Sequence, residues 1–163
     1  MNQLISLGSI NADFVFRLGD SAEEVETAQV KSLHRLPGGK AANVALLACR
    51  LGCSVRLLGC IGCDDLAVQA LGLLESEGVD LQSVARSSHH GTAVAAITAP
   101  SSGKKHILLA PGANRGWSEV AIDAVVACIA AADPRSVLAV NFEISPDVDS
   151  DAVRAGVARA RKW

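Results

Sequence analysis

The sequence predicts an α/β fold: an open, mostly parallel sheet flanked by helices, with a small β-element set apart from it. Three observations carry that expectation. Short apolar runs of strand length alternate with longer segments at helical spacing, the order expected of an open parallel sheet. The runs Val55–Ile61 and Val137–Phe142 are almost continuously apolar, as strands covered on both faces must be. Of the 163 residues 50% are hydrophobic, yet aromatics make up only 3% and tyrosine is absent, so Ala, Val, Leu and Ile must build the core.

Taken in order, Leu4–Ile10 reads as a first strand ending at Asn11-Ala12-Asp13. Phe14–Leu18 and Val30–Leu36 are weaker strands around the polar connection Gly19–Thr27. Lys40–Leu51 places Ala41, Val44, Ala45, Ala48 and Leu51 at helical spacing, and Gly52 stops it. Val55–Ile61 is a buried strand, followed by a helix over Asp65–Glu77 that Gly78 closes. Thr92–Ala99 and Lys104–Ala110 form a hairpin around Pro100–Gly103. Ser118 caps a helix to about Ala132, where Asp133-Pro134 breaks it. Val137–Phe142 follows as a strand, and Ser145-Pro146 opens a final helix to Trp163. Repeats, low-complexity tracts and interdomain linkers are absent, so residues 1–163 read as one α/β domain. The segments at about 14–36 and 92–110 stand apart from its main sheet.

Several function classes are disfavoured. The net charge is −2 without an extended basic run, which gives nucleic acid or a membrane surface no electrostatic hold. The N-terminus has neither a basic start nor a long apolar segment, and the 5 cysteines are an odd number, so a reducing cytoplasm is the expected setting. Cys49/Cys53 and Cys60/Cys63 lie close enough to raise a zinc site or a redox pair. Their place in an apolar helix and at a strand end favours small buried hydrophobes instead. His34, His89, His90 and His106 read as surface histidines, and Asp64-Asp65 as a helix-start pair favoured by the helix dipole.

The stretch Arg35–Gly52 asks for a specific explanation. Gly38-Gly39-Lys40 runs directly into a helix that carries Asn43. A Walker loop needs an earlier glycine and a Ser or Thr after the lysine, but His34 and Ala41 stand there, and no G-x-G-x-x-G spacing occurs. Bare glycine amides at a helix start, with an adjacent carboxamide that both donates and accepts, suit a ligand rich in hydroxyls. The same residues also permit a simple turn followed by a solvated asparagine.

From Gly38 the chain reads G-G-K-A-A-N-V-A, then six residues to Gly52 and nine more to Gly62. This string resembles the N-terminal signature of the ribokinase-like (phosphofructokinase-B-type) carbohydrate kinases. "LGSINADFVF", "GTAVAAITAPSSGKKHILLAPGAN" and "LAVNFEIS" are similar to that family's opening strand, lid hairpin and sugar-contacting strand. Ala41 replaces the glycine that ribokinases commonly carry.

The resemblance implies a ribokinase-like sheet with a β-lid and ATP-dependent phosphorylation of a sugar's primary hydroxyl, with ribose favoured. It implies ATP and Mg²⁺ as cofactors. Asn11, Asp13 and Asn43 would bind sugar hydroxyls, supported by Gly38 and Gly39, with Glu143 accepting from the far side. Lys40 would favour an anionic group, or stand as a solvated surface lysine. The family's Gly-Ala-Gly-Asp type turn, with its catalytic base and most of the ATP site, has no counterpart here, so the catalytic residues themselves are not expected in these 163 residues. The chain is therefore expected to be a truncated product or fragment covering about the first half of a family member, inactive alone; a non-catalytic sugar-binding remnant or an oligomerising α/β fragment is the alternative. It is expected to form homo-oligomers through its lid or an open sheet edge.

Overall fold

A computed structural model describes residues 3–19, 27, 29–100, 104–144, 148, 151, 154 and 158. Among them, in chain order, lie β1 (Gln3–Leu7), β2 (Asn11–Leu18), β3 (Val30–Gly38), α1 (Lys40–Arg50), β4 (Ser54–Gly62), α2 (Leu66–Ser76), β5 (Val84–Ser87), β6 (Ala93–Ala99), β7 (His106–Ala110), a 3-10 turn (Gly112–Arg115), α3 (Glu119–Ala131) and β8 (Val137–Val140). Val148, Asp151, Arg154 and Ala158 are the described positions of the expected last helix, and all are helical. Its expected opening at Ser145-Pro146, the connection 20–26 and the hairpin tip 101–103 lie outside the described residues.

The strands form two sheets. The first, β5-β4-β1-β8, is parallel throughout. Both of its faces are covered: Val55, Leu57 and Ile61 pack under α1 and α2, while Ile5, Leu7 and Leu58 pack under α3 with Ile144 and Val148. α1 faces the sheet with Ala41, Ala42 and Ala45, whose small side chains let its backbone come close. Both α1 and α2 end in Schellman turns at positive-φ glycines. Cys53 N donates to Ala48 O (3.0 Å) beyond Gly52, and Val79 N to Leu74 O (3.0 Å) beyond Gly78. Ser118 caps α3 as its sequence position indicates, accepting from Ala121 N at 3.2 Å.

The second sheet, β3-β2-β6-β7, gathers the two segments set apart in the sequence. One boundary differs from expectation. β1 stops at Leu7, and Asn11 and Asp13 do not end it; they begin β2 in the other sheet. The chain leaves the first sheet at Gly8, where Asn141 packs so closely that a side chain would collide with it. The strand β5, which pairs with β4 from Gly59↔Val84 to Gly62↔Ser87, was not anticipated.

Cysteines also divide differently than expected. Cys60 is buried, and burial pushes its thiol up to about 11 despite a backbone hydrogen bond at Ile61. Cys53 and Cys63 are instead exposed, because they occupy the turns that follow α1 and β4. All four histidines lie at the surface.

Asp64 ties the two sheets together. Its carboxylate accepts from Thr92 N (2.7 Å) and Thr92 Oγ1 (2.5 Å) at the entry to β6, and from Ala67 N (3.2 Å) in the first turn of α2. Thr92 Oγ1 in turn receives Gly62 N at 3.2 Å. Burial alone would raise the Asp64 carboxyl, but these bonds outweigh it and hold the group below its ordinary value of 3.8. A lowered carboxyl stabilises the fold above the unfolded value, and that contribution is lost as pH falls through the folded one. Asp64→Ala is therefore expected to destabilise by about 2–3 kcal/mol at neutral pH. Urea denaturation should show the gap from wild type closing below pH ~4.

Candidate functional site

The chain builds outward from β1 through β4 to β5 and then crosses to β8 on the other side of β1. The strand order reverses there, and a crevice opens at the carboxyl ends of β1 and β8. Ser9 and Asn11 follow β1, and Phe142 and Glu143 follow β8. With Leu109, Pro111, Asn114 and Arg115 they line a cleft of about 460 Å³.

Asn114 organises the wall of this cleft. It is 2% exposed. Its side-chain oxygen accepts from Ile10 N (3.0 Å), and its Nδ2 donates to Asn11 Oδ1 (2.8 Å). Because the Asn11 oxygen is engaged, its amide N–H₂ is the group left to meet a ligand. Trp117 Nε1 holds the Asn114 carbonyl at 3.0 Å.

Asp13 lies two residues along β2 from Asn11, on the same face of the strand. Its Oδ1 is buried without a hydrogen-bond partner, and burial raises its carboxyl above the ordinary value of 3.8. The partner strand explains why it fits. Asn11 pairs with Gly38 and Asp13 with Leu36, and a Cβ at Gly38 would overlap the Asp13 carboxyl. Gln69 of α2 secures this strand pair by donating to Asp13 O (3.1 Å) and Leu36 O (3.2 Å).

Gly39 has φ 94° and sits against Ser9 and Ile10, where a side chain would strike the backbone. Ser9 takes up two donors of the following helix: Lys40 N reaches its Oγ at 3.0 Å and Ala42 N its carbonyl at 3.4 Å. The glycine loop thus leaves a ligand fewer free amides than its sequence suggests; its glycines chiefly allow the close approach of β2. Lys40 Nζ forms an ion pair with Glu143, and both side chains are exposed. Asn43, one turn on from Lys40, shares its helix face and is exposed.

Of the seven expected residues, Asn11 and Glu143 line the cleft, Lys40 joins it through Glu143, and Asp13 with Gly38 and Gly39 flanks Asn11. Asn43 is joined to the group through its backbone, whose N–H donates to Gly39 O at 2.9 Å. Ser9, Asn114, Arg115 and Asn141 were not singled out. Asn141 Oδ1 accepts from Ser9 Oγ (3.4 Å) and Glu143 N (3.3 Å), bracing the loop after β8. The "PGAN" string was the available signal for Asn114, but it carried no hint of its partners.

These residues do not fit a nucleotide–Mg²⁺ site. Among the described residues Glu143 is the one carboxylate lining the cleft, and it is held by Lys40. Among the described residues no group of three or more His, Cys, Asp or Glu is placed to hold a metal ion. What the arrangement can do is bind hydroxyls: a buried carboxylate accepts, and a fixed carboxamide donates. No helix among the described residues is long and apolar enough to cross a membrane.

The profile of the pfkB family carbohydrate kinases matches residues 1–160. The chain is 35% identical over 130 residues to ribokinase of Haemophilus influenzae, covering 80% of this chain and 42% of that protein. It is 34% identical over 120 residues to ribokinase of Schizosaccharomyces pombe, covering 70% and 38%. It therefore spans about two-fifths of the length of these relatives. Among solved structures, Arabidopsis thaliana ribokinase complexed with ribose and ATP superposes with a TM-score of 0.78 at 23% identity, over 97% of this chain and 50% of that one. Thermotoga maritima ribokinase gives 0.78 at 26% identity, over 94% and 49%. The chain belongs to the pfkB family of carbohydrate kinases.

Proposed function

We propose that this chain is the acceptor-binding part of a ribokinase-type sugar kinase and that its cleft holds a pentose, with ribose favoured. The buried, unpartnered carboxylate oxygen of Asp13 carries this reading. An orphaned acceptor beside a donating carboxamide lowers the stability of the empty protein, and a hydroxyl-rich ligand would relieve it. The exposed Lys40–Glu143 pair is worth little in water, so a sugar hydroxyl can replace either partner.

In the family reaction ATP supplies the phosphoryl group, with Mg²⁺ accompanying it. This chain's residues would contribute the other half: Asn11 and Asp13 orient the sugar, and the second sheet acts as a lid that excludes water. We expect no phosphoryl transfer from this chain alone, because no Gly-Ala-Gly-Asp turn is present to supply a base. The free cysteines suit a reducing cytoplasm. The lid presents Leu33 and Leu108 to solvent on the face turned away from Asp13, a face suited to self-association.

Calorimetry with D-ribose should give saturable heat, and Asp13→Asn should weaken binding by roughly 10- to 100-fold. The absence of saturable heat would overturn the reading. The same substitution should stabilise the empty fold. A carboxyl raised by burial makes the folded state bind more protons than the unfolded one just above pH 3.8, so stability falls as pH rises through that window and stays lower beyond it. Asp13→Asn is expected to raise the melting temperature at pH 7 by roughly 1–4 °C, with the difference fading as the pH drops below ~4. For the lid, light scattering should show oligomers that Leu108→Asp reduces to monomers.

A further inference from the structure

A second cavity, of about 390 Å³, opens between the loop after β5 and the start of α3. Arg86, His89 and His90 line it from one side, Arg115, Trp117 and Ser118 from the other, and no carboxylate is among its lining residues. In a chain of net charge −2, the formally charged residues lining this wall, Arg86 and Arg115, are both cationic. Arg50, Arg56, Arg135 and Arg154 each hold a carboxylate. Arg86 and Arg115 have none among the described residues; Arg86 donates only to Gly62 O, at 3.4 Å.

The cavity's walls are fixed. Ser87 Oγ accepts from His90 N (3.1 Å) and His89 N (3.4 Å), folding the loop that carries both imidazoles. The His90 ring fills the space where Gly116 would otherwise carry a side chain. The Trp117 indole is anchored through its N–H to Asn114 O at 3.0 Å.

The geometry points to a binding site for a phosphate monoester, its phosphate held by Arg86 and Arg115 and its organic part packed against Trp117. Two guanidinium groups from separate elements match a dianionic phosphate, and the volume exceeds what a bare phosphate needs. The site also communicates with the first cleft. Arg115 lines both cavities, and Trp117 holds the same Asn114 whose amide positions Asn11. Occupancy therefore changes the affinity of the sugar cleft. This coupling rests on the sugar reading, whereas the anion site does not.

The test uses the chain with Trp163→Phe, which leaves Trp117 as the fluorescent reporter. Phenyl phosphate, titrated at constant ionic strength, is expected to change the emission saturably and to bind more tightly than inorganic phosphate. Arg86→Gln, at an exposed position, is expected to weaken it at least tenfold. An unsaturable response, or one that Arg86→Gln leaves unchanged, overturns the site. Equal binding of the two phosphates overturns the monoester assignment. Ribose calorimetry with and without phenyl phosphate reads the coupling: a changed ribose affinity, abolished by Arg86→Gln, supports it, and an unchanged one overturns it. Saturable phenyl phosphate binding without any ribose heat would refute the sugar reading and leave the anion site standing.

Discussion

The side-chain amide of Asn114 is the constraint on which the site depends. It bonds Ile10 and Asn11, 104 and 103 residues earlier in the chain. It does so where the polypeptide has just left one sheet for the other. A turn of that kind exposes backbone groups that no strand ladder satisfies, and a buried carboxamide with both donor and acceptor answers them at once. Without it, Ile10 N would be buried without a partner and Asn11 would lose its orientation. The 3-10 turn that delivers Asn114 is itself held by Ala113 N donating to Gly91 O at 2.8 Å, so the entry and exit of the β6–β7 hairpin are fastened together.

Much of this architecture was legible in local signals. Continuous apolar runs marked β4 and β8, helical spacing marked α1 and α2, and glycines marked where both helices stop. Gly38 and Gly39 announced a close approach, and the approach is real: Asp13 lies over one and Ser9 against the other. What they approach was not legible, because it comes from β2 and the turn before it. The pairings of Asn114 with Asn11 and of Lys40 with Glu143 each join residues 103 positions apart, and no periodicity encodes such partners. β5 escaped notice for a different reason. It is four residues long, contains Arg86, and is a strand by virtue of its pairing with β4.

The two-sheet division also explains why Asn11 and Asp13 were misplaced at the end of the first strand. Leu4–Ile10 is apolar enough to continue β1. Gly8 breaks that continuity, since Asn141 occupies the space a side chain would need and the chain must turn aside. Ser9 then works in both directions. It meets the first turn of α1 with its hydroxyl and carbonyl, and through its hydroxyl reaches Asn141 in the loop after β8. Three segments distant in sequence thus converge on one residue, and the cleft forms where they meet.

Two aspartates show how environment drives the same side chain in opposite directions. Asp64 and Asp13 are chemically identical, and burial pushes both carboxyls upward. Around Asp64, amide and hydroxyl donors reverse that effect, so the ionised form is stabilised and serves the fold. Around Asp13 no donor among the described residues reaches the buried oxygen, so burial prevails. A fold selected only for stability would supply a donor there or replace the carboxylate with an apolar group, either of which lowers the free energy. Instead Gly38 forgoes a side chain to admit it, and Gln69 spends its donors on the neighbouring carbonyls. Under the proposed sugar-binding function, the acceptor kept buried and unanswered at Asp13 meets a donor that arrives from solution.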